Sequence, residues 1–145
     1  MINTLQEHPI WHSVTQTLEQ INPNQFASHH LQSCQAKING YWDEDDQFYE
    51  VVRFTQLPIP QLLNISLGFT PKETGNTNWL QLKYSLTILP SADSATPNPL
   101  QATTIGELSL ILDDKLEVID ENWLIDMRSP YVVVEEVEIY ESNRI

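Results

Sequence analysis

The sequence predicts an α+β fold, with one or two N-terminal helices packed on or capping a curved antiparallel sheet or partly closed barrel of about six or seven strands. Helical periodicity is confined to residues 1–34, a period of two runs through residues 35–145, and no helical pattern separates the later strands. Antiparallel strands joined by short turns produce such a pattern, whereas a parallel sheet needs helical crossovers. We therefore expect one domain over residues 1–145.

The opening segment carries apolar residues at every third or fourth position from Leu5 to Ile21, which predicts an amphipathic helix. Pro9 suits the first turn of a helix because its missing N–H is not needed there. We expect the helix to begin near Pro9 and to end at residues 22–24, Asn-Pro-Asn. Residues 24–35 fit either a short second helix or an irregular stretch.

Two hairpins are predicted in the remainder of the chain. Residues 36–42 and 47–56 are rich in aromatic and β-branched residues and flank four acids at 43–46, which indicates a hairpin with an acidic turn. Residues 108–112 and 116–125 alternate on either side of the turn at 113–115. Pro58 and Pro60 are expected to break the ladder between strands because proline has no N–H to donate.

The clearest strand covers residues 79–88. Its even positions are apolar and its odd positions are polar apart from Trp79, as in a half-buried antiparallel strand. A strand at 64–69 precedes it, a mobile loop is predicted at 90–103, and a final strand is predicted at 131–141.

Composition excludes several functions. Twenty acids against seven bases give a net charge of −13, which opposes direct nucleic-acid binding because that binding rests on Lys and Arg. The four glycines are far apart, so neither a phosphate loop nor a dinucleotide fingerprint is present. Neither a signal peptide nor an apolar run long enough to span a membrane is found. The single cysteine favours a cytoplasmic location. From the missing apolar run and the missing motifs, we expect neither membrane contact nor a cofactor.

The histidines and the cysteine give the weakest functional hypothesis. His8 and His12 are four residues apart, but nothing else completes a metal site, so no metal is predicted. An enzyme using His29, His30 and Cys34 is a further alternative, although no orienting acid stands nearby in sequence.

The charge distribution carries the leading hypothesis. Residues 101–145 contain 11 acids and three bases. Acid facing acid across a ladder would destabilise the sheet, so such a face meets water or a basic partner. We predict a small acidic non-enzymatic interaction protein, such as an adaptor, assembly factor or inhibitor, that binds a basic protein partner through an acidic strand face. Its candidate contact residues are Trp79, Glu135, Glu136 and Glu138.

A small-ligand carrier is the alternative. A curved sheet closed by a helix can enclose an apolar pocket for a lipid or pigment. The candidate lining residues are Tyr41, Trp42, Phe54, Phe69 and Tyr84. A core filled by side chains would exclude this function. Trp11 and Trp123, like Trp42, are predicted at the core or its edge.

Overall fold

The structure is a computed structural model that describes residues 7–71, 73, 75, 77–89 and 102–136. In these residues, two N-terminal helices precede seven strands in two antiparallel sheets, which confirms the predicted α+β class without a closed barrel. The elements are α1 (Ile10–Ile21), α2 (Pro23–Ser33), β1 (Lys37–Trp42), β2 (Phe48–Phe54), β3 (Ile59–Thr70), β4 (Thr77–Ile88), β5 (Thr103–Leu112), β6 (Val118–Ile125) and β7 (Val132–Glu135).

The two helices meet at Asn22. Helix α1 begins directly after Pro9 and ends at Ile21, where Asn22 caps it with a left-handed φ of 53°, so both predicted boundaries are confirmed. Pro23 then opens α2, which resolves the ambiguous segment as a helix. Helix α1 buries none of its residues, and Trp11 is 43% exposed. Its apolar stripe is therefore only partly covered.

The three-stranded sheet has the order β1-β2-β7. Strands β1 and β2 form the predicted hairpin, with Ile38 opposite Val52 and Trp42 opposite Phe48. Gly40 adopts a φ of +85°, which interrupts the alternation of side chains along β1. Ile38 and Tyr41 are consequently both buried although they are three positions apart in the strand.

The four-stranded sheet is a meander with the order β3-β4-β5-β6. The even positions of β4 from Leu80 to Ile88 are buried, and the odd positions are half-buried or exposed. The hairpin predicted at 113–115 joins β5 to β6. The expectation that Pro60 breaks the ladder is wrong. Pro60 lies within β3 opposite Leu86, and proline is tolerated there because β3 is an edge strand.

The core lies where both sheets meet α2. Tyr84 donates its hydroxyl hydrogen to the carbonyl oxygen of Pro23 at 2.7 Å, which ties β4 to α2. The Ile125 N–H donates to the hydroxyl oxygen of Tyr41 at 2.9 Å, which ties β6 to β1. The buried residues that pack together in this core are Ala27, Leu31, Ile38, Tyr41, Val52, Phe54, Leu80, Leu82, Tyr84, Leu86, Ile88, Ile105, Leu108, Leu110, Leu112 and Ile125.

The last strand pairs with a distant one. Strand β7 joins β2, with Val52 opposite Val134, and β6 pairs with β5. The acids of β6 and β7 therefore do not face each other across a ladder. The predicted continuation of the final strand to residue 141 lies outside the described residues, as does all but the end of the loop predicted at 90–103.

Candidate functional site

The two hairpin turns are built in the same way. Asp43 begins the β1–β2 turn, and its Oδ1 accepts hydrogen bonds from the backbone N–H groups of Asp45 at 2.8 Å and Gln47 at 2.9 Å. These bonds stabilise the charged carboxylate, so the bond from Gln47 and the others hold the pKa of Asp43 below its usual value. The fourth residue, Asp46, is left-handed with a φ of 61°.

The β5–β6 turn repeats this geometry. Asp113 Oδ1 accepts from the N–H groups of Lys115 at 2.9 Å and Glu117 at 3.0 Å, and the Glu117 bond is the main reason that the pKa of Asp113 is lowered. Leu116 takes the left-handed position, with a φ of 64°. Both aspartates are therefore ionised at neutral pH.

A cleft of about 500 Å³ lies beside the β1–β2 turn, and we name it the acidic cleft. Five carboxylate residues from three parts of the chain line it: Asp43, Glu44 and Asp45 of the turn, Glu107 of β5 and Asp126 directly after β6. The lining also includes apolar Leu124, Ile125 and Met127. Among the lining residues, Arg128 alone is basic, so the cleft is strongly negative.

These carboxylates are engaged to different degrees. Asp43 is held by its turn and also accepts a hydrogen bond from the hydroxyl of Tyr49 at 2.8 Å. Glu107 pairs with Lys83 at 3.3 Å. In the described part of the chain, neither a hydrogen bond nor an ion pair engages the side chains of Glu44 and Asp45. These two acids are the ones most available to a partner.

The predicted partner-binding residues lie on different sheets. Glu135 is at the end of β7 in the three-stranded sheet, where its Oε1 accepts from Arg53 Nε at 2.5 Å. Glu136 follows it, and Glu138 lies outside the described residues. Trp79 is near the start of β4 in the four-stranded sheet. Of the acids proposed for the strand face, Glu135 is therefore already paired with Arg53.

Trp79 packs across β3. It lies opposite Gly68, and a Cβ built on Gly68 would overlap the indole ring. The ring thus covers the glycine, a common way to fill the gap left by a missing side chain in a sheet. This contact explains why a large aromatic residue stands among the polar outer positions of β4.

The five candidate pocket residues divide into two groups. Tyr41, Phe54 and Tyr84 are buried in the packed core. Trp42 and Phe69 are 64% and 60% exposed, and Trp42 packs on Phe48 with ring centroids 5.0 Å apart. The two groups do not line one cavity, so nothing in their placement favours a carrier.

His30 and Cys34 of the proposed enzyme lie close to Glu121. His30 Nε2 is 2.5 Å from Glu121 Oε2, and Trp123 Nε1 donates to Glu121 Oε1 at 3.0 Å. The bond from His30 is the main reason that the pKa of Glu121 is lowered. Burial raises the pKa of the Cys34 thiol, and the negative charge of Glu121 raises it further. A thiol kept protonated is a poor nucleophile.

The other histidines offer no second centre. His8, His12 and His29 are exposed, and the described residues contain no group of three or more His, Cys, Asp or Glu side chains placed to hold a metal ion.

Comparisons with models of protein families, with curated proteins and with solved structures find no match for this chain. Neither α1 nor α2, the helices that the structure describes, is long and apolar enough to cross a bilayer. The fold and the site define a two-sheet α+β protein with a negatively charged cleft beside one hairpin turn.

Sequence reasoning missed this cleft. It predicted a hairpin turn for the acids at 43–46, and it assigned no contact role to Glu107 or Leu124. The alternating strands and acidic turns were visible in the sequence, but no local pattern indicated that this turn lies next to the end of β6.

Proposed function

We propose that this chain is a small non-catalytic interaction protein that binds a basic protein partner through the acidic cleft. The observation that supports it best is the convergence of five carboxylate residues from three chain segments around apolar residues. The proposal keeps the predicted function and moves its contact surface from the β7 face to this cleft.

The chemistry of the cleft suits lysine and arginine. Both side chains have an apolar stem and a charged head. Such a stem can contact Leu124 and Met127 while its head meets Glu44 or Asp45. Because each exposed ion pair contributes only about 0–1 kcal/mol, affinity requires several pairs together with apolar contact. The net charge of −13 would also accelerate encounter with a basic protein.

The other hypotheses receive less support. Glu135 and Glu136 stay a predicted contact surface, but the pair with Arg53 offsets part of that charge. The enzyme hypothesis has an acid, Glu121, bonded to His30, but the raised pKa of the Cys34 thiol opposes it. The carrier hypothesis stays a prediction without a supporting contact. The cytoplasmic location likewise stays a prediction from the sequence.

A charge-reversal comparison tests the proposal. The probe is a fluorescein-labelled peptide of alternating lysine and leucine, and its control carries glutamate in place of lysine. We expect fluorescence anisotropy to show binding of the lysine peptide alone, weakened about tenfold or more by Glu44→Lys with Asp45→Lys. Leu124→Ser should weaken it about threefold because apolar contact with the lysine stem is lost.

The matched control reverses the last acid of β7 and the acid that follows it, Glu135→Lys with Glu136→Lys. Both double variants change the net charge equally. If binding depended only on the overall negative charge, the two variants would therefore lose affinity equally. We expect the control to weaken binding less than about threefold. Equal losses for the two variants, or no binding at low salt, would refute the cleft as the contact surface.

A further inference from the structure

A second cleft lies between α1 and the four-stranded sheet and shares no lining residue with the acidic cleft. We name it the helix cleft. Its volume is about 300 Å³, at the lower end of the range for small-molecule sites. Its apolar lining consists of Val14, Leu18, Leu67, Trp79, Leu80 and Leu116.

Leu116 is the unusual residue in this lining. Its φ of 64° is left-handed, a conformation that costs free energy for a bulky L-residue. The same position of the β1–β2 turn holds Asp46, and aspartate tolerates this conformation better. Core packing does not account for the leucine, because Leu116 is 40% exposed and its side chain lines the cleft. A strained residue kept at a cleft is typical of a binding site.

The walls of the cleft are formed from opposite sides. Helix α1 is amphipathic yet buries none of its residues, and its half-buried Val14 and Leu18 face the cleft. Trp79 forms part of the sheet wall, where its ring is set against Gly68. Apolar surface is thus presented by the helix and by the sheet with space between them.

The charge at the rim selects the ligand. Asp113 and Asp114 line the cleft, and no lining residue is basic. Lys115 belongs to the same turn but does not line the cleft, and the turn N–H groups keep Asp113 ionised at neutral pH. An apolar ligand with a positive charge matches these walls and this rim, and an anionic ligand does not.

We propose that the helix cleft binds a small amphiphilic cation, an apolar ring or chain that carries one ammonium or guanidinium group. The apolar part lies among Leu18, Trp79 and Leu116, and the cation lies against Asp113 and Asp114. This proposal concerns a cleft separate from the acidic cleft and stands independently of the partner proposed above.

Three probes of similar size test the ligand class: 2-phenylethylamine, 2-phenylethanol and 3-phenylpropionate. We expect ¹⁵N chemical-shift titration of the full chain to show the amine binding about two- to fivefold more tightly than the alcohol. The carboxylate should bind most weakly. Asp114→Asn should remove most of the difference between amine and alcohol. Equal binding of all three probes, or tightest binding of the carboxylate, overturns the proposal.

The variant Leu116→Gly distinguishes a role of Leu116 in ligand binding from a role in stabilising the fold. Glycine relieves the left-handed strain and removes the ligand contact, so amine affinity should fall about tenfold while the urea midpoint stays the same or rises. Asp46→Gly is the matched control in the other turn and should leave amine affinity unchanged. A lower urea midpoint for Leu116→Gly with unchanged affinity would give Leu116 a structural role and overturn the proposal, as would equal affinity losses in both variants.

Discussion

Replacing Gly68 by alanine should displace the indole ring of Trp79. The alanine Cβ would overlap three ring carbons of Trp79, which lies directly opposite on β4. Carbon atoms in contact prefer a separation of about 3.5–4.0 Å, so the ring must swing away from the sheet. The variant therefore tests whether Trp79 is fixed by this contact.

The expected cost follows from the two effects of the substitution. Overpacking of this kind lowers the free energy of unfolding by about 1–3 kcal/mol. Alanine also restricts the unfolded chain more than glycine does, which offsets about 0.5–1 kcal/mol of that destabilisation. We expect Gly68→Ala to lower the free energy of unfolding by about 0.5–2 kcal/mol.

A double-mutant cycle isolates the contact. Trp79→Ala removes the ring, so Gly68→Ala in that background should be neutral or stabilising, with a coupling energy of about 1–3 kcal/mol. Urea unfolding followed by far-UV circular dichroism measures all four proteins without relying on tryptophan fluorescence. Ser66→Ala, at an exposed position of the same strand face, is the control and should change stability by less than about 0.5 kcal/mol.

The reasoning fails if Gly68→Ala has the same cost, within about 0.5 kcal/mol, whether or not the tryptophan is present. Such a result would mean that the alanine strains the backbone of β3 itself and that the ring does not rest on the glycine.

The remaining predictions concern buried contacts and titration. Tyr84→Phe removes the hydrogen bond to the Pro23 carbonyl and should lower the free energy of unfolding by about 1–2 kcal/mol in urea, with no change expected in the far-UV spectrum. Gly106→Ala would drive a Cβ into the Leu124 carbonyl oxygen. We expect the free energy of unfolding, measured by thermal unfolding, to fall by about 2–4 kcal/mol, and a fall below about 1 kcal/mol would contradict this packing. Because the pKa of Glu121 is lowered in the folded state, its contribution to stability is present above its ordinary value of 4.5 and is lost as the pH falls through the lowered value. Glu121→Gln should therefore show a smaller fall in urea midpoint between neutral pH and pH 3 than the parent chain, and equal falls would count against the His30 contact. The raised pKa of Cys34 predicts slower reaction with a disulfide reagent in the native chain than in urea at the same pH, and Glu121→Gln should speed the native reaction.

Local patterns determined much of the secondary structure. The boundaries of α1 follow from Pro9 and Asn22, and the alternation along β4 follows from burial of one face. The two acidic turns could be predicted because Asp43 and Asp113 bond to N–H groups only two and four residues away. Such interactions depend on neighbours in sequence, so a single chain is enough to indicate them.

Tertiary structure alone decided how these elements are assembled. Pairing of β7 with β2 joins segments separated by all four strands of the other sheet, and nothing within either strand specifies that partner. The same assembly places the turn at Asp43 beside Asp126 and sets Trp79 over Gly68. Both clefts depend on these long-range contacts, because they form between segments whose separation in sequence leaves no periodic pattern. The candidate site therefore could not be predicted from composition and spacing. The sequence shows which residues are acidic, but not which of them come together in the cleft.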